Sequence, residues 1–229
     1  MSIVKYNGKV VKYGSKWVNN NPPAPETAVI GGKAYPVVDM PDGNKWLAVN
    51  LDYIWNGLSV QTSAAIVVTT PMGLYFNYDE ATYGWDGRKC GLLYNWYAVS
   101  YLEQNKATLC PGWHVPTDTE WNNLIAAVGG NNVAGGKLKA SDVSWAGNWG
   151  GTDDYGFAAL PAGVTGGSYE SSVSFADLGT HTFFWTPIEG NWDADHALRC
   201  SMRVASSQMM NAGYGVKTNC CSVRLIKDA

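Results

Sequence analysis

"HVPTDTEWNNLIAAVGG", His114 to Gly130, carries the most decisive local pattern in the chain. Thr117 and Glu120 stand at the spacing of a capping box, in which each satisfies a free backbone N–H of the other at a helix start. Trp121, Leu124, Ile125 and Val128 follow at i, i+3, i+4 and i+7, which puts them on one apolar helix face. Gly129-Gly130 supplies the stop. The spacing predicts a helix over 117–128 that buries Trp121 and Leu124.

Working outward, the pattern weakens. Upstream, "LLYNWYAVSYLEQN" (Leu92 to Asn105) reads as an earlier helix, although its aromatic residues also suit strands. Downstream, "SWAGNWGGTDDYGFAALPAG" (Ser144 to Gly163) reads as a long structured loop anchored by Trp145, Trp149, Tyr155 and Phe157. Three short strands are expected after it: "TFFWT" (Thr182 to Thr186), "HALRCSMRV" (His196 to Val204) and "CSVRLIKD" (Cys221 to Asp228). Between the last two, from Arg203 to Cys221, there is neither a helical period nor sustained alternation. At the other end, "IVKYNGKVVKYGSKWV" sets Asn7-Gly8 between two β-prone runs, a hairpin signal. "NNNPPAPETA" (Asn19 to Ala28) then reads as a proline-rich linker. The expected organisation is a hairpin and linker over 1–31 and a main domain over 32–229. The expected fold class is α+β, with two helices and short antiparallel strands.

Composition narrows the function classes. The chain has 229 residues, 15% charged and 13% aromatic, with 26 Gly, 11 Trp and 13 Tyr, so irregular loops pinned by large rings are expected. A net charge of −3 gives no reason to expect nucleic acid or an anionic membrane as partner. No apolar run reaches the roughly 18 residues of a membrane-spanning helix. The start lacks the apolar core of a signal peptide, which leads to the expectation of a protein made without export. Five cysteines without CxxC spacing argue against a disulfide framework and a zinc site.

Seven segments then fall in a familiar order: "YPVVDMPDGNKWLAVNLDY" (Tyr35 to Tyr53), "GLLYNWYAV" (Gly91 to Val99), "LCPGWHVPTDTEW" (Leu109 to Trp121), "AGGKLKA" (Ala134 to Ala140), "YGFAALPAG" (Tyr155 to Gly163), "FWT" (Phe184 to Thr186) and "CSVRLIKD". Together they resemble the Fibrobacter succinogenes major paralogous domain, over roughly Gly32 to Ala229. The resemblance implies a C-type-lectin-like fold related to formylglycine-generating enzymes. It also implies a diversity-generating retroelement, which rewrites codons near the C-terminus of some proteins with that fold, phage receptor-binding proteins among them. The variable region would lie at about 186–221, where the pattern is lost.

Two readings of that region compete: an ordinary surface loop with a strand pair, and an exposed ligand-binding face. The second assigns ligand contacts to Gly190, Trp192, Asp193, Asp195, His196, Leu198, Cys200, Arg203, Ala205, Met210, Ala212, Tyr214, Val216 and Asn219. In "HALRCSMRV", period two places His196, Leu198, Cys200 and Met202 on one face and Ala197, Arg199, Ser201 and Arg203 on the other. The resemblance implies that Ala197 and Met202 both face the body, so a bulge or a second buried layer is expected.

Enzyme readings fare worse. The fold's catalytic relative, an oxidoreductase, uses two C-terminal cysteines, but the adjacent Cys220 and Cys221 would point to opposite faces of a strand. His114, His181 and His196 lack metal-ligand spacing. Asp153-Asp154 and Asp193/Asp195 could hold calcium, yet the lectin triplets are missing and solvated carboxylates are the simpler reading. The expectation is therefore a non-enzymatic binding protein without metal or cofactor. Its partner would be a bacterial surface protein or glycan. It would be carried on a phage tail with the N-terminal segment facing other virion proteins, or else displayed or secreted by a bacterium.

Overall fold

The computed structural model describes residues 5–6, 9–10, 26–61, 68–83, 90–141, 143, 149–166, 173–191 and 193–229. Most of the expected linker, and the expected anchor Trp145, lie outside them. In chain order the elements are β1 (Lys5–Tyr6), β2 (Lys9–Val10), β3 (Thr27–Ile30), β4 (Lys33–Asp39), β5 (Lys45–Leu47), β6 (Ser59–Gln61), β7 (Met72–Leu74), α1 (Glu80–Tyr83), β8 (Leu93–Asn95), α2 (Trp96–Gln104), α3 (Lys106–Leu109), β9 (Trp113–His114), α4 (Asp118–Ala127), α5 (Asn131–Leu138), β10 (Ala162–Gly166), β11 (Ser174–Leu178), β12 (His181–Glu189), β13 (His196–Arg203), β14 (Met209–Val216), β15 (Cys220–Cys221) and β16 (Ile226–Lys227). Strands β1 and β2 pair antiparallel with Lys5 opposite Val10.

The expected α+β, C-type-lectin-like fold with two helices is not what forms. The structure is 38% strand and 20% helix, a β-rich fold built on three multi-stranded sheets. Five of the surplus strands, β3 to β7, come from the first third of the chain, where the sequence reading assigned none beyond the N-terminal hairpin; β8 to β11 and β14 are further additions. Strands β3 and β4 turn through Gly31-Gly32, both at positive φ, a backbone conformation that matches the twist of a two-residue hairpin. Strands β4 and β5 turn through Asp42-Gly43. There the Asp42 carboxylate accepts from the Asn44 backbone N–H and from the Trp46 indole at 3.1 Å each. The second expected helix also starts late. Leu93–Asn95 is strand, and the Asn95 side chain caps α2 by accepting from the Ala98 N–H at 2.9 Å. The same oxygen accepts from the Met72 N–H, which ties the helix start to the neighbouring strand.

The first sheet has the order β3-β4-β5-β16-β9, the second β15-β8-β7-β6 and the third β11-β10-β12-β13-β14. The end of the chain binds them together. Residues Cys220 to Ile226 are all buried, and their side chains enter three different apolar clusters. Cys220 packs with Met72, Leu74 and Phe76, whereas Cys221, Val223 and Leu225 pack with Tyr94 and Trp185. Ile226 packs with Trp46 and Trp121. The expected eight-residue final strand is accordingly broken into two short pieces. Its backbone bonds go to different elements in turn: Trp185 N–H donates to Ser222 O, Leu51 N–H to Val223 O and Leu47 N–H to Leu225 O.

Arg224 lies in the middle of this segment, fully buried. Its guanidinium donates to Asn50 Oδ1 (2.8 Å), Leu47 O (2.8 Å) and Phe157 O (2.7 Å) and stacks 4.4 Å from the Phe157 ring centre. Burial pulls its pKa down to about 9, partly offset by Asp153, so the group remains charged at neutral pH. Neutral acceptors and a ring face take the place of water, and the bonds tie the end of β5 and the segment after it, together with the loop at Phe157, to the chain end.

Candidate functional site

The third sheet holds the stretch that has no pattern. Strand β12 pairs antiparallel with β13, with His181 opposite Arg203, Phe183 opposite Ser201 and Trp185 opposite Arg199. Strand β13 pairs antiparallel with β14, with Leu198 opposite Tyr214 and Ser201 opposite Met210. The register shifts between Arg199 and Ser201, so β14 carries a bulge there. Of the two expected alternatives for β13, the second buried layer is the one that forms: the bulge lies in β14 and leaves the alternation of β13 intact. Ala197 packs into the cluster of Trp185 and Tyr94, while Cys200 and Met202, of opposite parity, pack into that of Trp121 and Phe184.

Each face of the sheet is half covered, on opposite diagonals. On the face of Phe184, Cys200 and Met202, helices α4 and α5 cover one end. Beyond them His196, Leu198, Tyr214 and Val216 reach solvent. On the other face Ala197 and Trp185 are covered. Gly215 is required there, because a Cβ would stand 2.7 Å from the Trp185 ring. The opposite end of that face carries His181, Phe183, Ser201, Arg203 and Met210, which border a hollow of about 240 Å³. Arg199 closes the hollow's inner side. Its guanidinium stacks 4.2 Å from the Phe183 ring centre and 6.0 Å from that of Trp185, and donates to the Cys221 sulfur at 3.6 Å.

The loop joining β13 to β14 is held by its backbone. In "AGGKLKA", Gly135 lies directly against the Gln208 carbonyl, where any Cβ would collide with it, and Gly136 N–H donates to Ser207 O at 3.1 Å. Lys139, fully buried, donates to Ser206 O (2.8 Å), Arg203 O (3.1 Å) and Trp149 O (2.6 Å). Burial lowers its pKa. A fourth tie runs from α4, where the Asn211 amide donates to Asp118 O at 2.8 Å and its oxygen accepts from the Cys200 thiol. Gly136 and Lys139 reach the main-chain carbonyls of Ser207 and Ser206, which every residue type supplies, while the Ser206 hydroxyl accepts from the Gln208 N–H at 3.2 Å and the Gln208 amide donates to Asn132 Oδ1 at 3.5 Å.

The residues expected to contact ligand do not form one face. Leu198, Tyr214, Val216 and His196 share one side of the sheet, and Arg203 and Met210 share the other. Cys200 does not belong to the set, because it is wholly buried and its thiol is pushed far up by burial. Gly190 is half-buried, and a Cβ there would meet the His196 carbonyl at 2.9 Å. Ala205 is exposed but sits at φ +52. Asp193 accepts from the Asp195 N–H and lies 2.8 Å from His196 Nδ1. Desolvation acts to raise its pKa, yet these contacts hold it low. Asp195 is exposed, and its carbonyl accepts from the Lys217 N–H. Asn219 is half-buried, with its N–H on Val216 O. Ala212 lies on β14, and Trp192 lies outside the described residues. The sequence reading missed His181, Phe183, Ser201, Ser206 and Gln208 as lining residues. The alternation His181, Phe183, Trp185 was a usable signal for the first two.

Elsewhere the reactive side chains are enclosed. All five cysteines are free and buried. Burial raises the thiols of Cys110 (to about 12), Cys200, Cys220 and Cys221, which is the opposite of a nucleophile's requirement. Cys220 and Cys221 enter different clusters, as their adjacency on a strand dictates. His114 lies between Glu120 (2.7 Å) and Asp228 (2.6 Å), joining the α4 capping box to the chain end. Among the described residues no three His, Cys, Asp or Glu groups are placed to hold a metal, and no helix is long and apolar enough to cross a membrane. Asp153 uses its carboxylate on the Ala158 N–H instead.

A model of the Fibrobacter succinogenes major domain matches residues 42–227. The chain belongs to this family. No curated protein and no solved structure matches it. The matched span takes in the capped helix, the glycine-lysine clamp and the threaded C-terminal segment, so all the elements that hold the third sheet lie inside the family's domain.

Proposed function

We propose that the protein is a non-enzymatic binding protein. It presents side chains of β12–β14 and their loops to the surface of a bacterial cell. The observation that carries this reading is the clamp: Gly135, Gly136 and Lys139 hold the β13–β14 loop through backbone atoms. The position of the loop is thereby set mainly by backbone atoms, which leaves room for its exposed side chains to differ. Met210 (59% exposed) and Tyr214 (38% exposed) provide apolar and aromatic contact area around it, the kind of area that dominates binding energy in interfaces. The burial of every thiol supports a role without covalent chemistry. In this reading the C-terminal region is diversified by a retroelement and the protein is carried on a phage particle, where many copies turn weak single contacts into strong attachment.

The test is adsorption to a panel of bacterial cells by the wild type and by a variant with Leu198, Arg203, Met210 and Tyr214 changed to Ala, folding being checked by thermal melts. A variant that adsorbs as well as the wild type overturns the reading. Diversification is tested in the flanking DNA. It requires a reverse transcriptase gene and a near-copy of the last part of this gene differing at adenines, and their absence removes that part of the proposal.

A further inference from the structure

The hollow on the Phe183 side of the sheet has a more definite chemistry than the rest of the exposed surface. We propose that it takes one acidic sugar residue, a pyranose bearing a carboxylate; this deepens the binding-protein reading and rests on it. Four observations converge. First, Arg203 is exposed at the rim, and its guanidinium makes no hydrogen bond or ion pair among the described residues. Its guanidinium is left to form a two-pronged bond with a carboxylate. Second, His181 stands directly opposite Arg203 in the strand register. Its Nδ1 is occupied by Thr180 Oγ1 (3.1 Å) and by Asp177 Oδ1 (3.5 Å). A proton held on Nδ1 by Asp177 leaves Nε2 as an acceptor for a hydroxyl. Third, Phe183 and Met210 border the same hollow. The Met210 side chain and the edge of the Phe183 ring, whose faces Arg199 and His181 cover, offer apolar area to a sugar ring, while Ser201 and Gln208 add polar groups beside them. Fourth, a volume of about 240 Å³ is of the size of one sugar ring.

The shape is also held in advance. Arg199 and His181 flank Phe183, the His181 ring lying parallel to it at 5.8 Å, and Lys139 fixes the main chain at Arg203 and Ser206. Preorganisation of this kind lowers the entropy lost on binding. Asp177 lies 3.5 Å from His181 Nδ1 and does not line the hollow.

The experiment titrates the purified chain with glucuronate, with glucose and with acetate, followed by nuclear magnetic resonance of the protein's own signals. The expected result is binding of glucuronate, with shifts at His181, Phe183 and Met210. Glucose and acetate should each bind at least about tenfold more weakly, since a charge-assisted bond and a ring contact are each missing in turn. Arg203→Gln, at an exposed position, should lose about tenfold or more for glucuronate and keep its melting temperature. His181→Gln should lose affinity for both sugars and not for acetate. Equal binding of glucose, equal binding of acetate, or an Arg203→Gln chain that binds glucuronate like the wild type each overturns the proposal. If the four-position variant loses adsorption while glucuronate does not bind, only the sugar proposal falls. If glucuronate binds but the wild type adsorbs to no cell, the cell-attachment reading falls instead.

Discussion

Helix α4 and strand β14 are of similar length and touch each other, yet one is written in its own residues and the other in everyone else's. Helix α4 carries its start signal, its apolar face and its stop. Thr117 Oγ1 accepts from Glu120 N–H at 3.3 Å and Glu120 returns a 2.8 Å bond to the Thr117 N–H. Trp121, Leu124 and Ile125 are buried where the 3.6 period puts them. Strand β14 has no comparable pattern. Its inward residues change partner across the bulge. Met209 packs beneath α4 and α5, Asn211 bonds back to Asp118, and Gly215 makes room for Trp185. The difference teaches that a strand whose backbone is held by other segments need not advertise itself.

The sharpest way to break that comparison is at the helix. Trp121 has no exposed surface and packs against Trp46 at 4.8 Å and Phe184 at 5.4 Å between ring centres. Trp121→Ala should destabilise the chain by about 3–5 kcal/mol in denaturant unfolding, as large aromatic truncations in cores do. A loss below about 1 kcal/mol, the scale of a surface change, means that α4 does not anchor the second cluster.

The middle-sized effect should come from the clamp, at a position remote from β14 in sequence. In Gly135→Ala the new methyl group meets the Gln208 carbonyl, a backbone atom that cannot swing aside. Overpacking of this kind costs roughly 1–3 kcal/mol, although Ala is the better helix former at an unconstrained position. The sign therefore decides: stabilisation by Gly135→Ala would show that the loop is not held against α5. Hydrogen exchange at residues 206–210 should rise in the same variant, because the backbone ties at Gly136 and Lys139 would be displaced together.

How much of this was legible follows from where the information sits. The capped helix was readable because its signals are local. The β12 and β13 strands were readable because each is a run of β-prone residues. The β-rich class was not, because β3 to β5 announce themselves through Gly31-Gly32 and Asp42-Gly43, turn signals whose flanking runs were passed over. The end of the chain, Cys221 to Asp228, looked like one strand, since Val223 and Leu225 alternate with Ser222 and Arg224. Together with Cys220 it is instead divided among three clusters, a tertiary fact that period-two reasoning cannot see. At the site, parity placed Leu198 and Arg203 on opposite sides correctly, but Cys200 was counted as exposed because the α4 cover lies more than seventy residues away in sequence. His181 and Phe183 lie before the unpatterned region, on a regularly patterned strand, and reach the hollow only through the pairing of β12 with β13.

The smallest effects should be the most informative about function. Met210, Tyr214 and Val216 all point outward, and the Tyr214 hydroxyl donates to the exposed Asn191 side chain at 3.1 Å. Truncating any of them to Ala should change stability by no more than about 0.5 kcal/mol, while Gly190 and Ala205 should be less forgiving despite lying in the same irregular stretch. At Gly190 any side chain meets the His196 carbonyl, and at Ala205 the positive φ disfavours β-branched residues. A library randomised at these five positions and sorted for folded chains would separate the two groups: broad acceptance at 210, 214 and 216, a preference for Gly at 190, and for Gly or Asn at 205. Uniform acceptance at all five would mean that the backbone is not held at the ends of β13. Uniform intolerance would mean that β14 is core, and would remove the physical basis for a surface free to vary.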